Sequence, residues 1–319
     1  MQRLRSVLVC VEGDDDADLA IERGLSLAST AGAAMKVLHV SRAASRWRGI
    51  AGCGDCMRAR RLRWQRERLA WLGMPLRGWS IPMGTQVSCD PPGLAVVREV
   101  LQGGHDTVVH VERGRRRLFR ATTMVQLARL CPCPLWVIRP PGFPGREHLL
   151  AAVSLNPLDG ALDREILDTA LAVARLLDRT LHVVHAWDAP GIHLFAFRTS
   201  AADLAWYRRA IMQQHREQLD QLMSHYRLVI PRERVHLRPG LPVEVIPRLA
   251  AELSADPIVM GTAARRGIAG FLAGNTAERV VHRSERSVLI VKSPGFVSLA
   301  APRPARARVL SPAQGSVLA

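Results

Sequence analysis

The sequence predicts an α/β protein made of two similar domains in tandem. Short apolar runs alternate with amphipathic helical stretches, a pattern that favours parallel strands joined by helices. Landmarks also recur about 150 positions apart, which matches Pro92 with Pro242 and Asp106 with Asp256. Equal spacing at separate landmarks indicates a tandem duplication, and the length of 319 residues suits two domains.

The first half opens with a strand pattern, followed by a helical pattern and a second strand pattern. Its later part, from Pro92 past Asp106, parallels the second half and closes with a terminal apolar run before a proline-rich segment. The predicted ranges are 6–11 for the first strand, 17–31 for the helix, 35–40 for the second strand and 133–138 for the last one.

The second half repeats this order. Apolar runs alternate with amphipathic stretches from 149 to 291, and a long helix lies in the middle. A corresponding apolar stripe in the first half carries Met57, Trp64 and Trp71, which we interpret as packing residues. The predicted ranges are strands at 149–153, 180–185, 257–260 and 287–291, and helices at 163–177 and from about 202 to 225.

The domain boundary is placed in residues 139–145, where three prolines and two glycines cannot extend either neighbouring element. The sequence therefore predicts one domain over 1–142 and another over 143–292. Residues 293–319 are rich in proline, alanine, arginine and serine and carry no acid, which predicts a disordered basic tail.

The net charge is +16, and all but two of the 44 basic residues are arginines; the exceptions are Lys36 and Lys292. Such a charge attracts anionic ligands or acidic protein partners. The arginine runs at 58–63 and 113–117 match no nucleic-acid-binding signature, so a nucleic-acid partner is not expected. No apolar run approaches the length of a membrane span, and a secretory signal is not expected, so we expect a cytoplasmic protein.

A glycine-rich segment after the apolar run at 257–260 is the strongest ligand signal. It starts at Gly261 and ends at Gly274, where a helical pattern begins. Glycines at such a position let backbone N–H groups approach an anion, and Arg265 and Arg266 could pair with phosphates. The predicted ligand region comprises Ser154, Val184, Gly261, Thr262, Gly274, Asn275 and Thr276.

Three motifs give the chain a resemblance to the tandem-domain type of the universal stress protein family. They are Gly-Gly-His-Asp at 103–106, the segment 240–247, and Val-Met-Gly-Thr at 259–262 continuing to 270–278. The resemblance implies two domains of the adenine nucleotide alpha hydrolase-like fold, each a five-stranded parallel sheet flanked by helices. It also implies a cytoplasmic, non-catalytic role in the stress response.

The resemblance makes ATP or another adenine nucleotide a possible ligand. Members that bind ATP carry a motif of three glycines, separated by two and then by nine residues, with a hydroxyl residue after the third glycine. Gly261 and Gly274 fit the first and third glycines of this motif. Ala264 replaces the second glycine, and Asn275 replaces the hydroxyl residue. The acidic residue that such members place after the first strand corresponds to Glu12 in the first half and to Ser154 in the second. The first half has a degenerate loop, and the second keeps the loop without the carboxylate.

The remaining chemistry-bearing residues leave alternatives open. Cys53 and Cys56 could form a reversible disulfide, supply half of a metal site, or be incidental. Cys10 is expected to be a small core residue. His39 and His185 end their strands and are expected to be structural, although strand ends can line a cleft.

The sequence shows no hydrolase, metalloprotease or complete phosphate-loop motif, so no catalytic residue, resident metal or enzyme activity is expected. The main hypothesis is a module that binds a nucleotide or another anionic small molecule. A protein-interaction factor with empty clefts and a weak ATPase are the alternatives. The chain could be a monomer of two pseudo-symmetric domains or a homodimer.

Overall fold

The computed structural model describes most of both halves. The described residues are 4–12, 17–40, 63, 67, 81–88, 91–112, 121–140, 147–156, 160–189, 200–262 and 275–298. Cys53, Cys56, the stripe residues Met57, Trp64 and Trp71, the glycine-rich segment 263–274 and the tail from 299 lie outside them.

The first half follows the alternation that its apolar pattern predicts. The first helix spans the predicted range, and the first two strands agree to within one residue. The elements are β1 (Ser6–Val11), α1 (Ala17–Ala31), β2 (Ala34–Val40), β3 (Met83–Ser88), α2 (Pro92–Gly103), β4 (Thr107–Val111), α3 (Ala121–Leu130) and β5 (Leu135–Ile138).

The second half repeats this order and adds its long middle helix. Ser200 begins that helix by accepting a hydrogen bond from the Asp203 amide at 3.1 Å. The elements are β6 (His148–Ala152), α4 (Gly160–Leu176), β7 (Thr180–Trp187), α5 (Ala201–Met223), β8 (Val235–Pro239), α6 (Pro242–Glu252), β9 (Ala255–Thr262), α7 (Asn275–Arg283) and β10 (Val288–Lys292).

The ten strands in the described part of the chain form one sheet, in the order β3-β2-β1-β4-β5-β10-β9-β6-β7-β8. Each half contributes five parallel strands in the same relative order, as the resemblance implies. The two sets join through β5 and β10, which pair antiparallel with Trp136 opposite Leu289. The two predicted five-stranded sheets are therefore continuous, a feature that the sequence analysis did not predict.

The hydrophobic core has two layers, one on each face of the sheet. Helices α1 and α4 cover one face, and helices α2, α3, α6 and α7 cover the other. Each layer contains residues from both halves. Helix α5 lies further out, with Leu219 and Met223 buried and with Leu204 and Ile211 packed beside Trp187.

Polar contacts also cross between the halves. Arg129 of α3 forms a two-pronged ion pair with Glu278 of α7, at 2.7 and 3.0 Å. This pairing raises the pKa of Arg129. The guanidinium of Arg139 donates to the Val281 carbonyl oxygen at 2.7 Å. These contacts fix the position of α7 relative to the first half.

The ordered chain continues past the end of β10. Ser298 is 4% exposed, and its hydroxyl donates to the carbonyl oxygen of Leu130 at 2.5 Å. The Phe296 ring lies 5.2 Å from Lys292 Nζ. Residues 293–298 therefore pack against the body of the protein, whereas the sequence analysis assigned them to a disordered tail.

Candidate functional site

The sheet of the second half has its topological switch point between β6 and β9. The chain leaves β6 toward β7 on one side, and β9 lies on the other side. Open α/β sheets bind ligands at the carboxyl ends of the strands at such a point. Ser154 follows β6, and β9 ends with Gly261 and Thr262, while Ala152 is the register partner of Met260. The topology therefore brings Ser154, Gly261 and Thr262 to the same edge of the sheet, where folds of this kind have their ligand crevice.

Ser154 is held by a buried carboxylate that the sequence analysis did not single out. The carboxylate of Asp163, in α4, accepts hydrogen bonds from the backbone amides of Ser154 and Leu155, each at 2.8 Å. It also accepts the Ser154 hydroxyl at 3.4 Å, and Asp163 is 1% exposed. Leu155 has a φ of 55°. The two amides at this turn thus bind Asp163 and do not point toward a ligand.

The presence of glycine at position 261 is explained by the close packing of β9 against α4. A Cβ added at this position would lie 2.8 Å from Leu162 Cγ and 2.9 Å from Ile166 Cδ1. Real Cβ atoms do not approach neighbouring carbon atoms so closely. The glycine that the sequence analysis interpreted as part of an anion cradle is thus also required for packing α4 against β9.

Thr262 and Val184 are buried on the opposite face from Gly261. Thr262 is 3% exposed, and its hydroxyl oxygen lies 3.4 Å from Lys292 Nζ. Val184 is fully buried in the core layer that also contains Val243 and Ile246 of α6. Both predicted residues therefore lie in the protein interior beneath this edge of the sheet. Their side chains are not exposed to a ligand at the surface.

Helix α7 begins at Asn275, where the sequence predicts it, and Thr276 is exposed in its first turn. The first N–H groups of a helix have no partner within that helix, and the helix dipole adds positive potential there. Glu278 in the same turn is neutralised by its ion pair with Arg129. Gly274 lies outside the described residues.

His185 has the structural role that the sequence analysis predicts. Its Nδ1 donates to the Val153 carbonyl oxygen at 3.0 Å. Its Nε2 therefore accepts from His215 Nδ1, also at 3.0 Å. Burial lowers the pKa of His185, so both rings are neutral and link β7, the end of β6 and α5. His39 is likewise buried.

The corresponding crevice of the first half, between β1 and β4, has a different chemical character. It contains buried Glu12 and Glu112 together with Cys10 and His110. Cys10 and His110 are direct register partners. Glu12 and Cys10 were considered separately from the sequence, and His110 was not singled out. Cys10–Glu12 and His110–Glu112 nevertheless share the two-residue spacing that places side chains on one face of a strand.

Three further histidines cluster on the second half, on β6, β7 and β8. His182 Nδ1 lies 3.1 Å from His236 Nε2, and the His148 and His182 rings meet edge-on with centroids 5.0 Å apart. Burial, helped by His236 and His148, lowers the pKa of His182 to about 4. Burial also lowers the pKa of His236.

Acidification is expected to destabilise the protein through this cluster. An unfolded histidine takes up its proton near pH 6.5, whereas folded His182 resists protonation until about pH 4. The unfolded state therefore binds more protons in this window, and stability falls as the pH drops from 6.5 to 4. The melting midpoint of His182→Gln should fall less between pH 7 and pH 5 than that of wild type. Replacing exposed His225 by glutamine is the control, and equal falls in all three proteins would contradict the interpretation.

The comparisons with known proteins agree with this architecture. Residues 147–292 match the family model described as the universal stress protein family. Residues 147–292 are therefore similar to a universal stress protein domain. Universal stress protein E of Escherichia coli (strain K12) is 32% identical over 208 residues, which are 63% of this chain and 65% of that relative. The alignment thus spans less than two thirds of the relative's length.

Solved structures extend the likeness over both halves. A functionally unknown protein from Pseudomonas aeruginosa PAO1 matches with a TM-score of 0.68 and 26% identity, covering 92% of this chain and 94% of that one. A universal stress protein from Archaeoglobus fulgidus DSM 4304 matches with a TM-score of 0.62 at 13% identity, covering 90% and 96% of the two chains, and shows the fold alone. Among the described helices, none is both long and apolar enough to cross a bilayer.

Proposed function

We propose that this protein is a non-catalytic binding protein of the stress response. In this proposal the universal stress protein domain binds an adenine nucleotide or another anionic small molecule in the crevice between β6 and β9. The observation that carries it is the position of this crevice. It lies at a topological switch point, and the glycine-rich segment that follows β9 leads directly into α7.

The N-terminus of α7 is the main source of hydrogen-bond donors in this proposal. The amides of Ser154 and Leu155 are already bound by Asp163, so they do not contribute. The first-turn N–H groups of α7 do, because the Glu278 carboxylate that would repel an anion is paired with Arg129. The net charge of +16 adds a long-range attraction for anions.

The contrast between the two crevices supports one anion site in each chain. The first-half crevice contains a buried carboxylate, Glu112, at the end of β4, and this charge opposes an anionic ligand in a medium of low polarity. The second half has the uncharged Thr262 in the corresponding place at the end of β9. A nucleotide phosphate is therefore favoured in the second domain alone.

A binding role without turnover is supported by the hydrogen bonds near the second crevice. Ser154 has the side chain of a nucleophile and His185 that of a base, but Asp163 accepts the serine hydroxyl. His185 is held by Val153 and His215. Neither group is positioned to act on the other.

Thermal melting with ATP, AMP and inorganic phosphate tests this proposal. A ligand at 100 times its dissociation constant stabilises the folded state by about 2.7 kcal/mol. At about 2–4 °C for each kcal/mol, that raises the melting midpoint by roughly 5–10 °C. We expect this rise with ATP or AMP and a smaller one with phosphate.

A matched pair of variants at Thr276 locates the site. Thr276→Asp places a negative charge in the first turn of α7, where it suits the helix itself but repels an anion. Thr276→Asn changes the shape similarly without adding charge. The ligand-induced rise should disappear in the first variant and persist in the second. No rise in wild type with any of the three compounds, or an equal rise in both variants, would contradict the proposal.

A further inference from the structure

A group of potential metal ligands lies in the first domain, separate from the proposed nucleotide site. Cys10 and Glu12 extend from β1 and its end, and His110 extends from β4. One ligand atom from each residue lies within 4.8 Å of the other two. Their exposed fractions are 1%, 8% and 4%, so all three are buried.

His110 gives independent evidence for a ligand. Both of its ring nitrogens are buried, and neither has a hydrogen-bond partner in the described part of the chain. The Glu112 carboxylate lies beyond hydrogen-bond distance, with 3.8 Å between His110 Nε2 and Glu112 Oε2. A buried polar group without a partner costs about 1–3 kcal/mol, and native proteins rarely leave one unexplained. A species that binds the imidazole would remove this cost.

We propose that Cys10, Glu12 and His110 bind a zinc ion. A thiolate, an imidazole and a carboxylate together form a ligand set that zinc accepts. The charges also balance, since the cysteine thiolate and the Glu12 carboxylate together neutralise a divalent cation. Three protein ligands leave a fourth coordination position, as in zinc sites that keep one position open.

The geometry is compatible with this ion after small side-chain movements. Ligand atoms of a tetrahedral zinc site with bonds of about 2.0–2.3 Å lie roughly 3.5 Å apart. The ligand atoms of Cys10, Glu12 and His110 are up to 4.8 Å apart. Shifts of about 1 Å in each side chain bring them to the tetrahedral separation of roughly 3.5 Å. Histidines that bind a metal are commonly oriented by a carboxylate that accepts a hydrogen bond from the other ring nitrogen. Glu112 can take this role by accepting from His110 Nε2. His110 Nδ1 is then the nitrogen that binds the ion.

Cobalt(II) titration of the chelator-treated full chain tests the proposal. Cobalt occupies zinc sites and gives a sulfur-to-metal absorption band when a thiolate binds it. We expect one cobalt ion for each chain, with this band, and its displacement by one equivalent of zinc sulfate. Cys10→Ser should abolish the band. Glu12→Gln and His110→Gln, both close in size to the native residue, should weaken cobalt binding at least about tenfold.

Two control variants identify the thiol that binds. Cys131→Ser removes another buried cysteine of the same half and should leave the titration unchanged. The double variant Cys53→Ser, Cys56→Ser should also leave it unchanged. A band that persists in Cys10→Ser, or that disappears in the double variant, would overturn the proposal, as would the absence of cobalt binding to wild type.

A measurement on wild type keeps the test valid if a variant does not fold. Stoichiometric zinc sulfate should raise the melting midpoint of the full chain, and a chelator should reverse the rise. Glu12→Gln, which changes one oxygen to an amide nitrogen, should show a smaller rise. An unchanged midpoint in wild type would contradict zinc binding regardless of the variants.

Discussion

Replacing Asp163 by alanine is expected to lower the free energy of unfolding by about 3–5 kcal/mol, because it removes the charged acceptor of two part-buried backbone amides. The carboxylate accepts the amides of Ser154 and Leu155 at 2.8 Å each. Each unpaired donor costs about 1–3 kcal/mol, and hydrogen bonds to a charged group are at the upper end. Urea denaturation of wild type and variant measures the difference.

Ser154→Ala is the matched control for that experiment. It removes two long hydrogen bonds of the serine hydroxyl, one donated to Asp163 and one accepted from the Asn156 amide, each at 3.4 Å. Both backbone amides bound by Asp163 keep their acceptor. We expect a loss of less than about 1 kcal/mol. A loss of less than about 1 kcal/mol for Asp163→Ala itself would show that this carboxylate does not hold the turn after β6.

Stability is expected to rise by about 2–3 kcal/mol between pH 7.5 and pH 10 because of Lys292. Burial lowers the pKa of this amine to about 8, although Cys131, Cys133 and Glu278 partly oppose the shift. The unfolded amine has a pKa near 10.4. Between these values the unfolded state binds the extra proton, so the free energy of unfolding increases with pH in this window.

Lys292→Met isolates this contribution. Methionine occupies a similar volume without a charge, so the variant should lack most of the rise that wild type shows. The variant also removes the hydrogen bond from Lys292 Nζ to the Ala128 carbonyl oxygen, which lowers stability at every pH. The comparison therefore uses the slope of stability against pH, and identical slopes in the two proteins would refute the assignment.

The sequence predicted those elements whose apolar runs are buried. β1 and α1 were found with their observed bounds, because periodicity reports burial on one face or on both. β3 and β8 were not located, because both lie at sheet edges; β8, for example, is half-buried or exposed throughout. The pairing of β5 with β10 was also missed, because pairing between distant strands leaves no local pattern.

In the candidate site, too, some features could be predicted from the sequence and others could not. Strand order alone places Ser154 and Thr262 at one edge of the sheet, so their proximity was predictable once the fold class was known. The direction of each side chain was not, because it depends on packing around the sheet. The sequence therefore did not predict that Asp163 holds the Ser154 turn or that α4 packs closely against Gly261.

The first-half crevice shows what a more detailed interpretation of the sequence could find. Cys10 was expected to be a core residue, and it does belong to a core layer. Its neighbours Glu12 and His110 follow from the two-residue alternation along β1 and β4 together with the pairing of those strands. That pairing is implied by the fold class, so the cluster could have been proposed from the sequence.

Native mass spectrometry of the full chain with ATP tests the central claim most directly, because it counts bound ligands. The two different crevices predict one nucleotide for each chain in wild type and in Thr276→Asn, and none in Thr276→Asp. Two nucleotides for each chain, none in wild type, or undiminished binding in Thr276→Asp would contradict a single anion site at the N-terminus of α7.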